Sequence, residues 1–130
     1  MLSIHHMGYL VRNMEKALDK FEELGYKPLD TIIYDEGREA AIQFLEKDGY
    51  RIELVCPEKT SDIYPLLKRT GSSPYHICYE TDDLDAEISR FEAMGYTVFL
   101  DRAAAPAIGE GSEVVFLYHF QMGIVELVSP

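Results

Sequence analysis

The sequence predicts an α+β fold built of two βαβββ modules in tandem. Three observations predict it. The chain matches itself: HMGYLVRNMEKALDKFEELGY, His6 to Tyr26, lies without a gap over HICYETDDLDAEISRFEAMGY, His76 to Tyr96, at an offset of 70. His6/His76, Tyr9/Tyr79, Phe21/Phe91, Glu22/Glu92, Gly25/Gly95 and Tyr26/Tyr96 are identical pairs. The closing runs match too, IELVCP (52–57) over VELVSP (125–130), now at an offset of 73, so the second copy carries a small insertion. Each copy also passes from strand alternation to a helical stripe and back to three strand-like runs. Finally, 130 residues at 47% hydrophobic suit one domain, or two small modules that bury a core together. Two repeats are too few for a solenoid, so the modules, about 3–57 and 73–130 with a connector at 58–72, are expected to pack on each other.

The elements follow in order. A strand opens each copy, Ser3 to Val11 and Tyr75 to Thr81. Asn13 and Asp83 then supply side chains suited to cap a helix N-terminus. Met14, Ala17, Leu18, Phe21 and Leu24 form an apolar stripe at helical spacing. Leu84, Ile88, Phe91 and Met94 repeat it, with Glu87 in place of Ala17. Gly25 and Gly95 stop the helices, because the residue just past a helix end often needs a left-handed backbone. Three strands follow in each copy: Lys27 to Tyr34, Ala40 to Glu46 and Tyr50 to Cys56, then Thr97 to Asp101, Glu113 to Tyr118 and Gly123 to Val128. Lys47-Asp48-Gly49 carries a hairpin-turn signal. The connector is expected to hold one short helix, Ser61 to Lys68.

Composition narrows the function. Twelve basic residues against 23 acidic ones give a net charge of −11, which disfavours nucleic acid, since phosphate contacts need clustered Lys and Arg. No run approaches the roughly 20 apolar residues of a membrane span. The opening residues lack a leader pattern, so a cytoplasmic location is expected. Cys56 and Cys78 form neither a disulfide framework nor a zinc pair, and read as buried thiols on opposite strand faces.

Strand alternation selects the candidate site. If the helix covers the face bearing Met7, Tyr9 and Val11, then His6 lies on the open face. By the same argument His76, Cys78 and Glu80 lie on the open face of the second copy. Ile52 and Leu54 suit the helix side, which leaves Glu53 open; Val125 and Leu127 leave Glu126 open. Taken singly, a strand His or Glu is an ordinary core or surface residue. Here the same two types recur at equivalent places in both copies. A carboxylate between apolar neighbours is costly unless it has a partner. Two neutral imidazoles and two carboxylates around a divalent cation sum to zero charge, so His6, Glu53, His76 and Glu126 are the candidate metal ligands. His5 and His119 have no counterpart in the other copy and read as structural. Arg51 shares the face of Glu53 near the hairpin.

On these stretches, with YRIELVCP and VVFLYHFQMGIVELVSP, the chain resembles the vicinal oxygen chelate superfamily of glyoxalases, bleomycin-resistance proteins and extradiol dioxygenases. The resemblance spans essentially the whole chain. It implies two βαβββ modules forming a cupped mixed β-sheet around a central metal, with the four residues above as ligands to one Ni, Zn, Co or Mn ion.

The ligand set is similar to that of glyoxalase I. That implies a metal-dependent lyase or isomerase turning the glutathione–methylglyoxal hemithioacetal into S-lactoylglutathione, with Glu53 and Glu126 as candidate bases. The run PYHICYETDDLDA and the SDIYPLLKRTG segment resemble methylmalonyl-CoA epimerase, the alternative reading. A non-catalytic small-molecule-binding member is the third. Two departures stand out. An additional carboxylate that some epimerases place in the third strand of module 1 has only Gln43 nearby. The Asp-Pro-Asp-Gly turn of glyoxalase I is replaced by Phe120-Gln121-Met122-Gly123. The partners implied are a thiol adduct or acyl thioester of small size, no nucleic acid and no membrane; a homodimer is compatible with the family.

Overall fold

Helices form where the sequence supplies both a start and a stop, and both copies supply the same ones. In the computed structural model, which describes residues 2–130, helix α1 (Met14–Glu23) begins at Asn13, whose side chain accepts the Lys16 N–H at 2.9 Å. Helix α3 (Leu84–Ala93) begins at Asp83, which accepts the Ala86 N–H at 3.1 Å. Each helix ends in the same pair of backbone bonds. Gly25 N–H donates to Glu22 O (2.9 Å) and Tyr26 N–H to Phe21 O (3.1 Å); Gly95 donates to Glu92 (3.1 Å) and Tyr96 to Phe91 (3.0 Å). This turn requires a left-handed residue, and the glycines have φ of 98° and 97°. It also brings Tyr26 against Phe21 (centroids 5.2 Å) and Tyr96 against Phe91 (4.8 Å). Four of the six identities between His6–Tyr26 and His76–Tyr96 are therefore the residues of one helix stop. Leu24 and Met94 close the predicted stripe but lie in this turn and remain exposed.

The described residues divide into two compact units. One comprises His6–Tyr75; the other comprises His76–Pro130 with the leading residues up to His5. In the first, β1 (Ser3–Leu10, entering the unit at His6), β2 (Lys27–Asp35), β3 (Ala40–Lys47) and β4 (Tyr50–Pro57) are ordered β2-β3-β4-β1. The β1–β4 pair is parallel and the others antiparallel. Val11, Met14, Leu45 and Leu54 form the core under α1, flanked by Tyr9, Phe21 and Ile52. In the second unit, β5 (Ser73–Glu80, entering at His76), β6 (Thr97–Ala104), β7 (Glu113–His119) and β8 (Gly123–Ser129) repeat the pattern as β5-β8-β7-β6. Leu84, Phe91, Val115, Leu117, Val125 and Leu127 form its core. The α+β class and the mixed sheet agree with the sequence reading. No helix among the described residues is long and apolar enough to cross a membrane.

Strand ends elsewhere shift by one or two residues; two boundaries shift by three. The connector helix α2 is Tyr64–Thr70, not Ser61 to Lys68. Pro65 explains it: proline fits the first turn of a helix but would remove a bond further in. Strand β6 runs on to Ala104 through two register shifts along β7, where the sequence stopped it at Asp101.

The register also locates the insertion. Asp35 pairs with Ala40, leaving four residues between them. Its counterpart Ala105 donates to Ser112 O at 2.9 Å, leaving six. Lys47 pairs with Tyr50 across two residues and His119 with Gly123 across three. Two of the three extra residues lie in the β6–β7 loop and one in the β7–β8 turn.

Candidate metal centre

Within the first unit, β1 and β4 run in parallel with Gly8 opposite Glu53. This brings His6 Nε2 to 3.3 Å from Glu53 Oε1. His6 is 1% exposed and Glu53 2%. Phe44 lies opposite Glu53 on β3 and presents its ring edge-on to His6, with centroids 5.1 Å apart at 79°. A rigid aromatic wall thus fixes the imidazole beside its carboxylate.

The second unit repeats the arrangement. Cys78 on β5 lies opposite Glu126 on β8, and His76 Nε2 is 3.0 Å from Glu126 Oε1. His76 is 4% exposed and Glu126 0%. Phe116, opposite Glu126 on β7, meets His76 edge-on at 5.2 Å and 80°. Phe44 and Phe116 were passed over in the sequence because a strand Phe reads as core. The signal was present: Phe-Leu stands at 44–45 and 116–117, shortly before the turn in each copy.

These pairs fit a divalent ion. Two donor atoms each about 2.1 Å from one ion, separated by an octahedral or tetrahedral angle, lie about 3.0–3.4 Å apart. Both His–Glu spacings are in that range. The donor set, imidazole nitrogen with carboxylate oxygen, suits a first-row divalent metal. Burial to a few per cent argues against surface ion pairs, which gain little and are screened.

Other candidates separate cleanly. Gln43 pairs with Leu54, so its side chain is on the helix side of β4. Its amide donates to Leu29 O (2.8 Å), Asp30 O (3.3 Å) and Phe44 O (2.9 Å), closing the irregularity in β2. Glu39 is a carboxylate just before β3. It is half-buried, bonded to the Thr60 hydroxyl, and holds φ at 52°. Arg51 is exposed and lies opposite Glu46. Arg102 is engaged by Asp85 and Glu113, and the two carboxylates raise its pKa. His119 accepts the Gln121 N–H at 3.0 Å and tilts on Tyr96, which makes it part of the β7–β8 turn. Cys56 packs beside the α1 core, where burial pushes its thiol pKa up; Cys78 is on the face of Glu126.

Comparison with known proteins completes the picture. The family described as the Glyoxalase/Bleomycin resistance protein/Dioxygenase superfamily matches residues 5–116. A search of curated proteins finds no match. Among solved structures, hypothetical protein BH1468 from Bacillus halodurans C-125 is similar at 21% identity and TM-score 0.84, covering 99% of this chain and 94% of that one. Methylmalonyl-CoA epimerase from Mycobacterium tuberculosis is similar at 21% identity and TM-score 0.82, covering 98% and 87%. A Streptomyces coelicolor methylmalonyl-CoA epimerase in complex with 2-nitronate-propionyl-CoA is similar at 21% identity and TM-score 0.80, covering 98% and 93%. At these identities the likeness shows the fold.

Proposed function

The chain belongs to the glyoxalase/bleomycin resistance protein/dioxygenase superfamily, and from that premise we propose that it is a divalent-metal-dependent epimerase of a small acyl thioester, of the methylmalonyl-CoA type. The observation that carries the proposal is the repeated buried His–Glu pair, His6–Glu53 at 3.3 Å and His76–Glu126 at 3.0 Å. The four residues hold one ion between them in this reading. The sequence alone favoured the glyoxalase I reaction. The epimerase likenesses favour the acyl thioester instead, because the two reactions share their first step and differ in the substrate presented to it.

A bound divalent ion supplies Lewis-acid stabilisation of negative charge on a carbonyl oxygen. The chain's own residues do the rest. One carboxylate of the Glu53/Glu126 set takes the proton from the carbon beside the thioester carbonyl, and the C–H electron pair moves onto the carbonyl to give an enolate. A proton returned to the opposite face inverts the centre. His6 and His76, held by Phe44 and Phe116, keep the carboxylates in place.

Deuterium uptake from D2O into methylmalonyl-CoA, followed by mass spectrometry with Co, Mn, Ni or Zn added, tests the reading. Metal-dependent uptake is expected, and Glu126→Gln is expected to lower it about 100-fold or more. No uptake with any metal, alongside thioester formation from glutathione and methylglyoxal, would return the assignment to glyoxalase I. Inactivity in both assays would leave the binding-protein reading.

A further inference from the structure

Resting on that reading, we infer that Ile108 limits the size of the substituent carried by the carbon that exchanges its proton. Cys78 lies opposite Glu126, Val128 follows Glu126 by two residues, and Val114 lies opposite Val128. Strand alternation puts all three on the face of Glu126. Onto this face fold Ala105 and Ile108 from the β6–β7 loop, and together these residues form an apolar cluster. Cys78, Ala105, Val114 and Val128 are buried within it, while Ile108 stays half-buried.

The loop is tied down. Ile108 N–H donates to Ala105 O at 3.0 Å, Gly109 N–H to Ala105 O at 3.2 Å, and Ser112 N–H to Gly109 O at 3.2 Å. Ile108 is therefore a fixed wall. It stands in the six-residue loop that carries two of the inserted residues, where the first unit has only four. A rise of about 3.3 Å per residue puts Val128 about 7 Å along the strand from Glu126. A methyl group on the reacting carbon stops short of this cluster, whereas a butyl chain reaches it and meets Ile108, which packs against it. Since the cluster is wholly apolar, the group it meets is an alkyl substituent.

The test reads binding and needs no turnover. Co(II)-loaded protein is titrated with malonate, methylmalonate, ethylmalonate and butylmalonate, following the Co(II) absorption bands. Wild type is expected to bind butylmalonate at least about tenfold more weakly than methylmalonate, since a single methylene in a tight pocket is worth about that much. Ile108→Ala is expected to bring the two within about threefold, and the milder Ile108→Val to fall between. Equal affinities in wild type, or an unchanged ratio in both variants, would overturn the inference. Absent deuterium exchange with methylmalonyl-CoA sinks the functional reading alone, and the titration still reports on the wall. Failure of Co(II) to bind overturns both.

Discussion

A carboxylate almost wholly removed from water needs a partner, and Glu53 and Glu126 each have a histidine nitrogen at 3.3 and 3.0 Å. That pairing was legible from the sequence because the repeat put His and Glu at matching places on matching strands. The aromatic walls were not legible, since only the register shows that Phe44 and Phe116 lie opposite the carboxylates. A second residue-scale effect is set far from these pairs. The Tyr34 hydroxyl donates to Glu58 Oε2 at 2.9 Å, and the carboxylate pushes the phenol pKa from 10 up to about 12. Folded Tyr34 thus keeps its proton where the unfolded chain loses it. Its contribution to stability is complete below pH 10 and disappears as the pH rises through about 12. Tyr34→Phe is expected to flatten the alkaline arm of a denaturation-against-pH curve over that window and to remove one late-titrating phenol from the absorbance titration.

Elements were easiest to read where local chemistry decides them. The caps at Asn13 and Asp83 and the stops at Gly25 and Gly95 require only neighbours within six residues, and each was legible. Gly25→Ala forces a Cβ into a φ of 98° and within 3.3 Å of Lys47 Nζ. It is expected to lower stability by about 1–2 kcal/mol in urea unfolding, and Gly95→Ala to do the same. Asn13→Ala should cost about 1 kcal/mol. The start of α2 was misplaced because apolar spacing outweighed Pro65 in the reading. The end of β6 was misplaced because its exposed face and register shifts leave no alternation to follow. Gln43→Leu separates structure from chemistry in β3. Three backbone carbonyls lose their donor, so stability is expected to fall by about 1–3 kcal/mol with metal content unchanged.

At the scale of the molecule, duplication explains both the fold and the chemistry. Identical residues of the two copies serve the helix stop, the His–Glu pairs and the core, and the inserted residues gather in the loop and turn that distinguish the second unit. Substrate choice was the least legible property, because the glyoxalase I and epimerase readings call on the same four residues. In this account a divalent cation balances the two buried carboxylates, which with neutral imidazoles sum to zero charge around it. Binding of that ion to the folded chain alone stabilises it by about 2.7 kcal/mol at 100 times its Kd, so chelation is expected to lower Tm by about 10 °C. The central claim is that the two His–Glu pairs share one ion. Elemental analysis of the purified protein tests it most directly, with His6→Ala and His76→Ala measured beside the wild type. The account predicts one divalent ion per chain in the wild type and its loss from both variants. Two ions per chain, or one ion retained by either variant, would contradict it.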